Sequence, residues 1–352
     1  MFPIDVTVVI PVFNRSHTLL RALTSVIAQT QHPREVIVVD DGSSVQDLAE
    51  IRSIIAKFSE TLHISLLINE INRGANYSRN RGIFQAKGAY IAFLDSDDLW
   101  LPEKLATQME QIHVARQRDK RPILSSTGRY RVNSKGDIIA RQPGARPFNP
   151  AIIRGSNVIG TLSSVIVDTS IAQRIGGFDE RLPACQDWDF FIRLAEYVQF
   201  VGVPDTLCVY VDHDSDRISL NHRNRVRAHI HILQKYHTIN KSSCSVIYKN
   251  IAEAYQEVGE QKKADIYLAK SFANYVCSSL YFRYSLEYFF YLYFRIRPSH
   301  SLRAKRYIGY RKAMKRAMAN PQVLAKIRYD AARLKEMMLE QRDNAVFSKS
   351  RE

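Results

Sequence analysis

The chain has four cysteines in 352 residues, Cys185, Cys208, Cys244 and Cys277, widely spaced and without a Cys-x-x-Cys pair. This argues against a disulfide framework or a thiolate metal cluster and fits a reducing cytoplasm. No Gly-x-Gly-x-x-Gly follows the first β-rich run and no Gly-x-x-x-x-Gly-Lys-Ser/Thr occurs, so the dinucleotide and P-loop fingerprints are both missing. The most aromatic stretch, residues 275–294, is interrupted by Arg283 and Glu287 and followed by Arg295. It is too short and too charged for a spanning helix of roughly 20 apolar residues. The N-terminus enters a strand almost at once, so no signal peptide is expected. The net charge of +15 and pI of about 9.6 make nucleic acid an obvious partner class, yet no recognisable nucleic-acid module is present. Ala228-His229-Ile230-His231 reads as a helix interior rather than a ligand pair.

What is present is an alternation of short β-rich runs and helical stretches. Val6–Ile10, Val36–Val39, Ile64–Ile68 and Tyr90–Leu94 read as strands. Between them, Thr18–Gln29 carries Leu19, Leu20, Leu23, Val26 and Ile27 at helical spacing. A second helix, capped by Ser43 or Ser44, turns Leu48, Ile51, Ile54 and Ile55 inward, and Asn76–Ala86 predicts a third. Strands joined by helices of this length imply a parallel sheet with right-handed crossovers, whose ligands bind beyond the carboxyl ends of the strands. Polar clusters follow each run: Phe13-Asn14, Asp40-Asp41, Asn72-Arg73 and Asp95-Ser96-Asp97-Asp98. The topology therefore brings all four to one edge.

Three carboxylates in four residues repel one another and resist full ionisation unless a cation offsets them. Oxygen ligands at that density suit Mg²⁺ or Mn²⁺, which sit with a few carboxylates, waters and substrate phosphates. With an Asp placed to accept from a base and backbone amides near Gly42 and Gly74, the edge reads as a nucleotide-diphosphate site. A diphosphate held by metal rather than by a glycine loop points to a nucleotide-sugar or nucleotidyl substrate.

Over residues 4–219 the sequence resembles the family 2 glycosyltransferases, the inverting group with the GT-A fold. The resemblance is carried by Val9-Ile10-Pro11-Val12-Phe13-Asn14-Arg15, Val38-Val39-Asp40-Asp41-Gly42-Ser43, Asn72-Arg73-Gly74, Ser78-Arg79-Asn80-Arg81-Gly82 and Phe93-Leu94-Asp95-Ser96-Asp97-Asp98. Gly176-Gly177-Phe178-Asp179-Glu180 and Gln186-Asp187-Trp188-Asp189 through Leu194 complete it. It implies an α/β fold, a Rossmann-like, mostly parallel sheet flanked by helices; the region after it reads, from its own residues, as an α-helical C-terminal subdomain. The resemblance also implies that Pro11, Val12, Phe13, Asn14, Asp41, Arg79, Asp95 and Ser96 bind the nucleotide-sugar donor, usually a UDP-sugar. Asp97 and Asp95, with His213 of Tyr210-Val211-Asp212-His213, would hold Mn²⁺ or Mg²⁺. Asp187 matches the family's general base. Two departures stand out: Gln186 replaces the acid that usually precedes the base, and Val211 replaces an Arg. Asp98 is read as a helix-start residue, and residues 116–160, with Pro122, Pro143, Pro147 and Pro150, as an irregular acceptor-side region. The acceptor implied is a glycan or lipid-linked glycan. A nucleotidyltransferase and a catalytically silent scaffold are the competing classes. The first of these usually carries a Gly-rich, Lys/Arg-containing stretch after the first strand, which is absent.

The basicity is confined to one half. Residues 1–216 hold 23 Lys+Arg against 25 Asp+Glu, and residues 217–352 hold 27 against 10. The division predicted is a catalytic domain over 1–219, a basic, aromatic-rich helical domain over 220–340 and a disordered tail over 341–352. Ile251–Phe272 resembles one helical-hairpin repeat of the tetratricopeptide type, too few for a solenoid. The tyrosines and phenylalanines of 275–294, with Lys305-Arg306, Arg311-Lys312 and Lys315-Arg316, either pack as a helical subdomain or form an interfacial platform. The latter would draw a cytoplasmic protein to an anionic membrane surface.

Overall fold

The computed structural model describes residues 3–144, 150–212, 221–237 and 239–276. The chain divides into two compact units, Met1–Arg217 and Ile218–Glu352. His213, the aromatic and basic segments beyond residue 276, and 341–352 lie outside the described residues.

The first unit opens with β1 (Ile4–Val12), α1 (Ser16–Ile27), β2 (Pro33–Asp40), α2 (Val45–Phe58), β3 (Ile64–Ile68), α3 (Ala75–Gln85) and β4 (Tyr90–Phe93). β1 is buried on both faces at Val6, Val8, Val9 and Ile10, as a central strand covered by helices on both sides requires. α1 packs Leu19, Leu23 and Val26 into the same core. Ser44 caps α2 by accepting from the Asp47 N–H at 3.2 Å. The pairings β3–β2, β2–β1 and β1–β4 are all parallel, so the carboxyl ends of four strands share one edge.

Beyond β4 follow β5 (Leu99–Trp100), α4 (Lys104–Arg118), β6 (Ile123–Val132), β7 (Ile138–Gln142), α5 (Pro150–Gly155), β8 (Val165–Asp168), α6 (Thr169–Arg174), α7 (Gln186–Leu194) and β9 (Gln199–Val211). The strand order is β3-β2-β1-β4-β8-β6-β9-β5, with β7 paired to β6. The parallel expectation holds for the first four strands. The remainder is mixed: β4–β8, β8–β6, β6–β7 and β5–β9 are antiparallel and β6–β9 is parallel. The described part of residues 116–160 is not an irregular region. It contains the end of α4, a central strand and its hairpin partner. β6 escapes recognition because its buried middle carries Ser125, Ser126 and Thr127 on both faces instead of an apolar run. The prolines mark boundaries: Pro122 precedes β6, Pro143 follows β7 and Pro150 begins α5.

Asp98 does not start a helix. It is followed by β5, and α4 begins only at Lys104. At 1% exposure, its carboxylate accepts from Ser163 Oγ at 2.6 Å and from the Val211 N–H at 3.2 Å. It thus ties the acidic turn to the end of β9 and to the short 3₁₀ turn Leu162–Ser164. Burial, with Asp97 and Asp95 nearby, pushes its carboxyl well above the ordinary carboxylate range.

In the second unit, α8 (His222–Lys235), α9 (Lys241–Glu257) and α10 (Gln261–Val276) are helical as expected, and His229 lies within α8. Asn221 and Asn240 cap α8 and α9. α9 and α10 form the expected hairpin, turning at Gly259 with φ +77°. They are cross-linked by Ser245 Oγ and Ser271 Oγ, each donating to the other's backbone carbonyl at 2.8 Å. No described helix is long and apolar enough to cross a membrane.

Two substitutions test this architecture. α3 lies so close to β1 that a Cβ at Gly82 would overlap the Val9 side chain. Gly82→Ala should therefore lower stability by about 1–3 kcal/mol, instead of giving the roughly 1 kcal/mol gain of an open helix site; the shift in denaturant midpoint measures it. Asp98→Ala removes the buried acceptor that the Ser163 hydroxyl and the Val211 N–H share and should cost about 1–3 kcal/mol. An unchanged midpoint would show that Asp98 anchors nothing.

Candidate functional site

The four loops at the shared strand edge are bonded to one another. Asn14, with φ +48°, accepts from the Ser44 N–H at 2.8 Å through Oδ1, and its own N–H donates to Ser43 Oγ at 2.9 Å. This joins the loops after β1 and β2. Asp41 joins β2 to β3: its carboxylate accepts from Asn69 Nδ2 at 2.7 Å, Arg73 N–H at 3.1 Å and Gly74 N–H at 2.8 Å. A carboxylate has about four acceptor positions, so Asp41 retains capacity for a further donor. Gly42 fits because a Cβ there would come within 2.5 Å of the Ile71 backbone.

Two arginines complete the edge. Arg15 donates to Asp97 at 2.8 Å, and Arg79 donates to Asp95 at 2.6 Å while lying over the Phe178 ring. Arg21 also faces Asp97 electrostatically, and burial lowers its pKa. The Asp95 N–H donates to Ser163 Oγ at 3.1 Å, so the same hydroxyl that donates to Asp98 also holds the Asp95 backbone. Trp100 sits against this turn and donates its indole N–H to the Ser163 carbonyl at 2.6 Å.

Of the residues expected to bind a donor, Pro11 is buried near the end of β1, and Phe13 projects to the edge at 42% exposure. Val12 differs: its side chain belongs to the core, and only its carbonyl reaches the edge, accepting from the Asp41 N–H at 2.8 Å. Ser96 is buried within the acidic turn. Asp95 and Asp97 keep 28% and 22% of their side chains accessible, whereas Asp98 points inward. Among the described residues, no group of three or more His, Cys, Asp or Glu side chains is gathered as a cation site. The accessible oxygen donors are therefore two carboxylates. That fits Mg²⁺ or Mn²⁺, which is commonly held by one or two carboxylates together with waters and substrate phosphates.

α3 builds the opposite wall. Its buried face is polar: Asn80 exchanges two bonds with the Phe178 backbone, at 2.6 and 3.0 Å, and Asn76 donates to the carbonyls of Asp179 and Leu182. Phe178 then stacks on Phe190 of α7, with ring centroids 4.2 Å apart. This carries Asp187, in the first turn of α7, toward Arg79 and Asp95. Asp187 is closely surrounded by protein yet keeps partial solvent access. Its carboxylate accepts from the Trp188 N–H at 2.8 Å and from Asn157 Nδ2 at 2.7 Å. Burial raises its pKa to about 6, opposed by the Trp188 N–H, Arg79 and Asn157 and reinforced by Asp95. A carboxylate so placed is ionised at neutral pH and basic enough to take a proton. Sequence reasoning did not find Arg15, Asn157 or Ser163. Arg15 lies inside a recognised motif, but the other two act through contacts 30 to 68 residues away and belong to no pattern.

Comparison with known proteins places this geometry in a family. The model described as glycosyl transferase family 2 matches residues 7–174. The amylovoran biosynthesis glycosyltransferase AmsB of Erwinia amylovora is 30% identical over 217 residues, 60% of this chain and 70% of that protein. The Escherichia coli UDP-Glc:alpha-D-GlcNAc-diphosphoundecaprenol beta-1,3-glucosyltransferase WfgD is 34% identical over 136 residues, 39% of this chain and 49% of that protein. An uncharacterized glycosyltransferase of Rickettsia felis is 37% identical over 134 residues, and the match spans 38% of this chain but only 21% of that longer protein. Among solved structures, S. aureus TarS 1–349 in complex with UDP-GlcNAc aligns with TM-score 0.54 at 18% identity, covering 76% of this chain and 81% of TarS 1–349. That likeness agrees with the α/β fold described above. The chain belongs to glycosyl transferase family 2.

Proposed function

We propose that the chain transfers a sugar from a nucleotide-diphosphate donor, a UDP-sugar, to a hydroxyl of a glycan or lipid-linked glycan, with inversion at the anomeric carbon. The observation that carries this is the placement of Asp187, ionised and basic, beside the Arg79–Asp95 pair at the edge where the four parallel strands end. The donor base is assigned to the pocket of Pro11, Phe13, Asn14 and Asp41, and the diphosphate to the side of Arg79, Asp95 and Asp97. Asp95 and Asp97 are the residues that would hold Mn²⁺ or Mg²⁺, with His213 as a third candidate ligand; when bound, the ion neutralises the charge of the departing diphosphate.

The chain's own chemistry is a proton transfer. Asp187 accepts the proton of the acceptor hydroxyl as that oxygen attacks the anomeric carbon from the face opposite the diphosphate. Arg79 keeps Asp187 ionised before the attack and faces the developing negative charge after it. Two relatives support the substrate classes: WfgD is named for a UDP-sugar donor and a diphosphoundecaprenol-linked acceptor, and AmsB for polysaccharide biosynthesis. A lipid-linked acceptor would also give the basic residues beyond 276 a purpose, attraction to anionic headgroups at the cytoplasmic face of the membrane.

Release of UDP from UDP-glucose with Mn²⁺ and a lipid-diphosphate glycan acceptor tests the reading. Asp187→Asn should reduce turnover by about 100-fold or more while leaving the donor-induced rise in melting temperature intact; full turnover in that variant removes Asp187 from the reaction. Because the base must be ionised and its pKa is raised to about 6, activity should fall as pH drops through about 6 and stay level above it.

A further inference from the structure

The carboxylate of Asp187 is not held by its own helix alone. Oδ1 accepts from the adjacent Trp188 N–H, but Oδ2 is gripped by Asn157, which precedes the Leu162–Ser164 turn and stands 30 residues upstream. We infer that Asn157 is a positioning residue for the proposed transfer, fixing the orientation of the Asp187 carboxylate so that one face meets an acceptor hydroxyl. This rests on the reading of Asp187 as the base.

Every polar atom of the Asn157 amide has a partner, which leaves it a single orientation. Its Oδ1 accepts from the Ile159 N–H at 3.2 Å and the Gly160 N–H at 2.9 Å. Those two donors require an oxygen, so the amide nitrogen must face the other way, toward the Gly160 carbonyl at 3.3 Å and Asp187 Oδ2 at 2.7 Å. The turn that sets this orientation is itself constrained. Gly160 has φ +100°, and a Cβ there would run into the Arg129 guanidinium, which supports the turn from below by donating to the Ile159 carbonyl at 3.1 Å. The turn takes the oxygen and a long 3.3 Å bond from the nitrogen, whose shorter bond, at 2.7 Å, goes to the carboxylate.

Removing that donor has consequences beyond structure. The charged groups acting on Asp187 are Arg79 of α3, which favours ionisation, and Asp95 of the acidic turn, which opposes it; Asp189, on its own helix, is paired with Arg193. Asn157 is neutral, so Asn157→Ala removes no charge; it removes the bond to Asp187 together with those that hold the Ile159–Gly160 turn. Asn157→Asp keeps an oxygen for the Ile159 and Gly160 N–H groups and gives up the long bond to the Gly160 carbonyl, and it replaces the donor to Asp187 with a second acceptor and a like charge.

The test is a carbon-13 NMR titration of the Asp187 carboxyl in the full chain, wild type against both variants. The midpoint should rise by about one pH unit in Asn157→Ala, the loss of one charge-assisted hydrogen bond, and further in Asn157→Asp. With UDP-glucose and Mn²⁺, kcat for UDP release should fall by about 10-fold or more in both, with the KM for UDP-glucose unchanged and the acidic limb displaced by the same amount as the NMR midpoint. If Asn157→Ala fails to fold, Asn157→Asp decides alone. A midpoint and kcat in Asn157→Asp equal to the wild type's overturn the assignment. If the wild-type protein releases no UDP, the functional reading falls instead, and the titration still settles whether Asn157 grips the carboxylate.

Discussion

The ion pair between Arg79 and Asp95 joins the two sides of the site. Asp95 belongs to the acidic turn after β4, and Arg79 to the helix that lies against the Phe178 loop. Their 2.6 Å contact fixes the distance between the strand edge and the wall that carries Asp187. Neither partner is fully buried, so the pair is not a large source of stability on its own. Its value is geometric. The guanidinium lies over Phe178, Phe178 stacks on Phe190, and Phe190 shares α7 with Asp187. One cation thus organises Asp95 at the strand edge and, through two stacked rings, the helix that carries Asp187.

The same principle recurs around the edge. Four carboxyl groups, those of Asp41, Asp95, Asp97 and Asp98, stand along the shared edge, and each is satisfied by a group from a different loop: backbone amides after β3, Arg79, Arg15, and Ser163 with Val211. Sharing donors across loops lets the protein collect negative charge without unfolding the edge. It also means that a ligand arriving there meets loops already bonded into one surface, so little ordering remains to be done on binding.

The first half of this arrangement was legible in the sequence because it obeys local rules. Apolar runs such as Val6–Ile10 and Val36–Val39 are the mark of doubly covered parallel strands, and polar residues at their ends can point only to one edge. The second half was not. β6 hides behind Ser125, Ser126 and Thr127, of which Ser125 accepts from Gln108 Nε2, 17 residues away, a partner that no local pattern reveals. Asp98 sits where a helix cap is common, yet its bonds run to Ser163 and Val211, 65 and 113 residues away. Asp187 was recognised through its motif, but the asparagine that holds it lies in a loop with no signature. Patterns report what a residue does for its own element. Long-range hydrogen bonds between ordinary residue types leave no trace in them.

The central claim is that a base on the acceptor side and a diphosphate on the donor side act from opposite faces of one anomeric carbon. The most direct measurement is the proton NMR coupling at the anomeric centre of the product formed from an α-linked UDP-sugar. A β-configured product, with the large coupling of a glucosyl residue in that configuration, is expected from inversion. A product that retains the α configuration would contradict it.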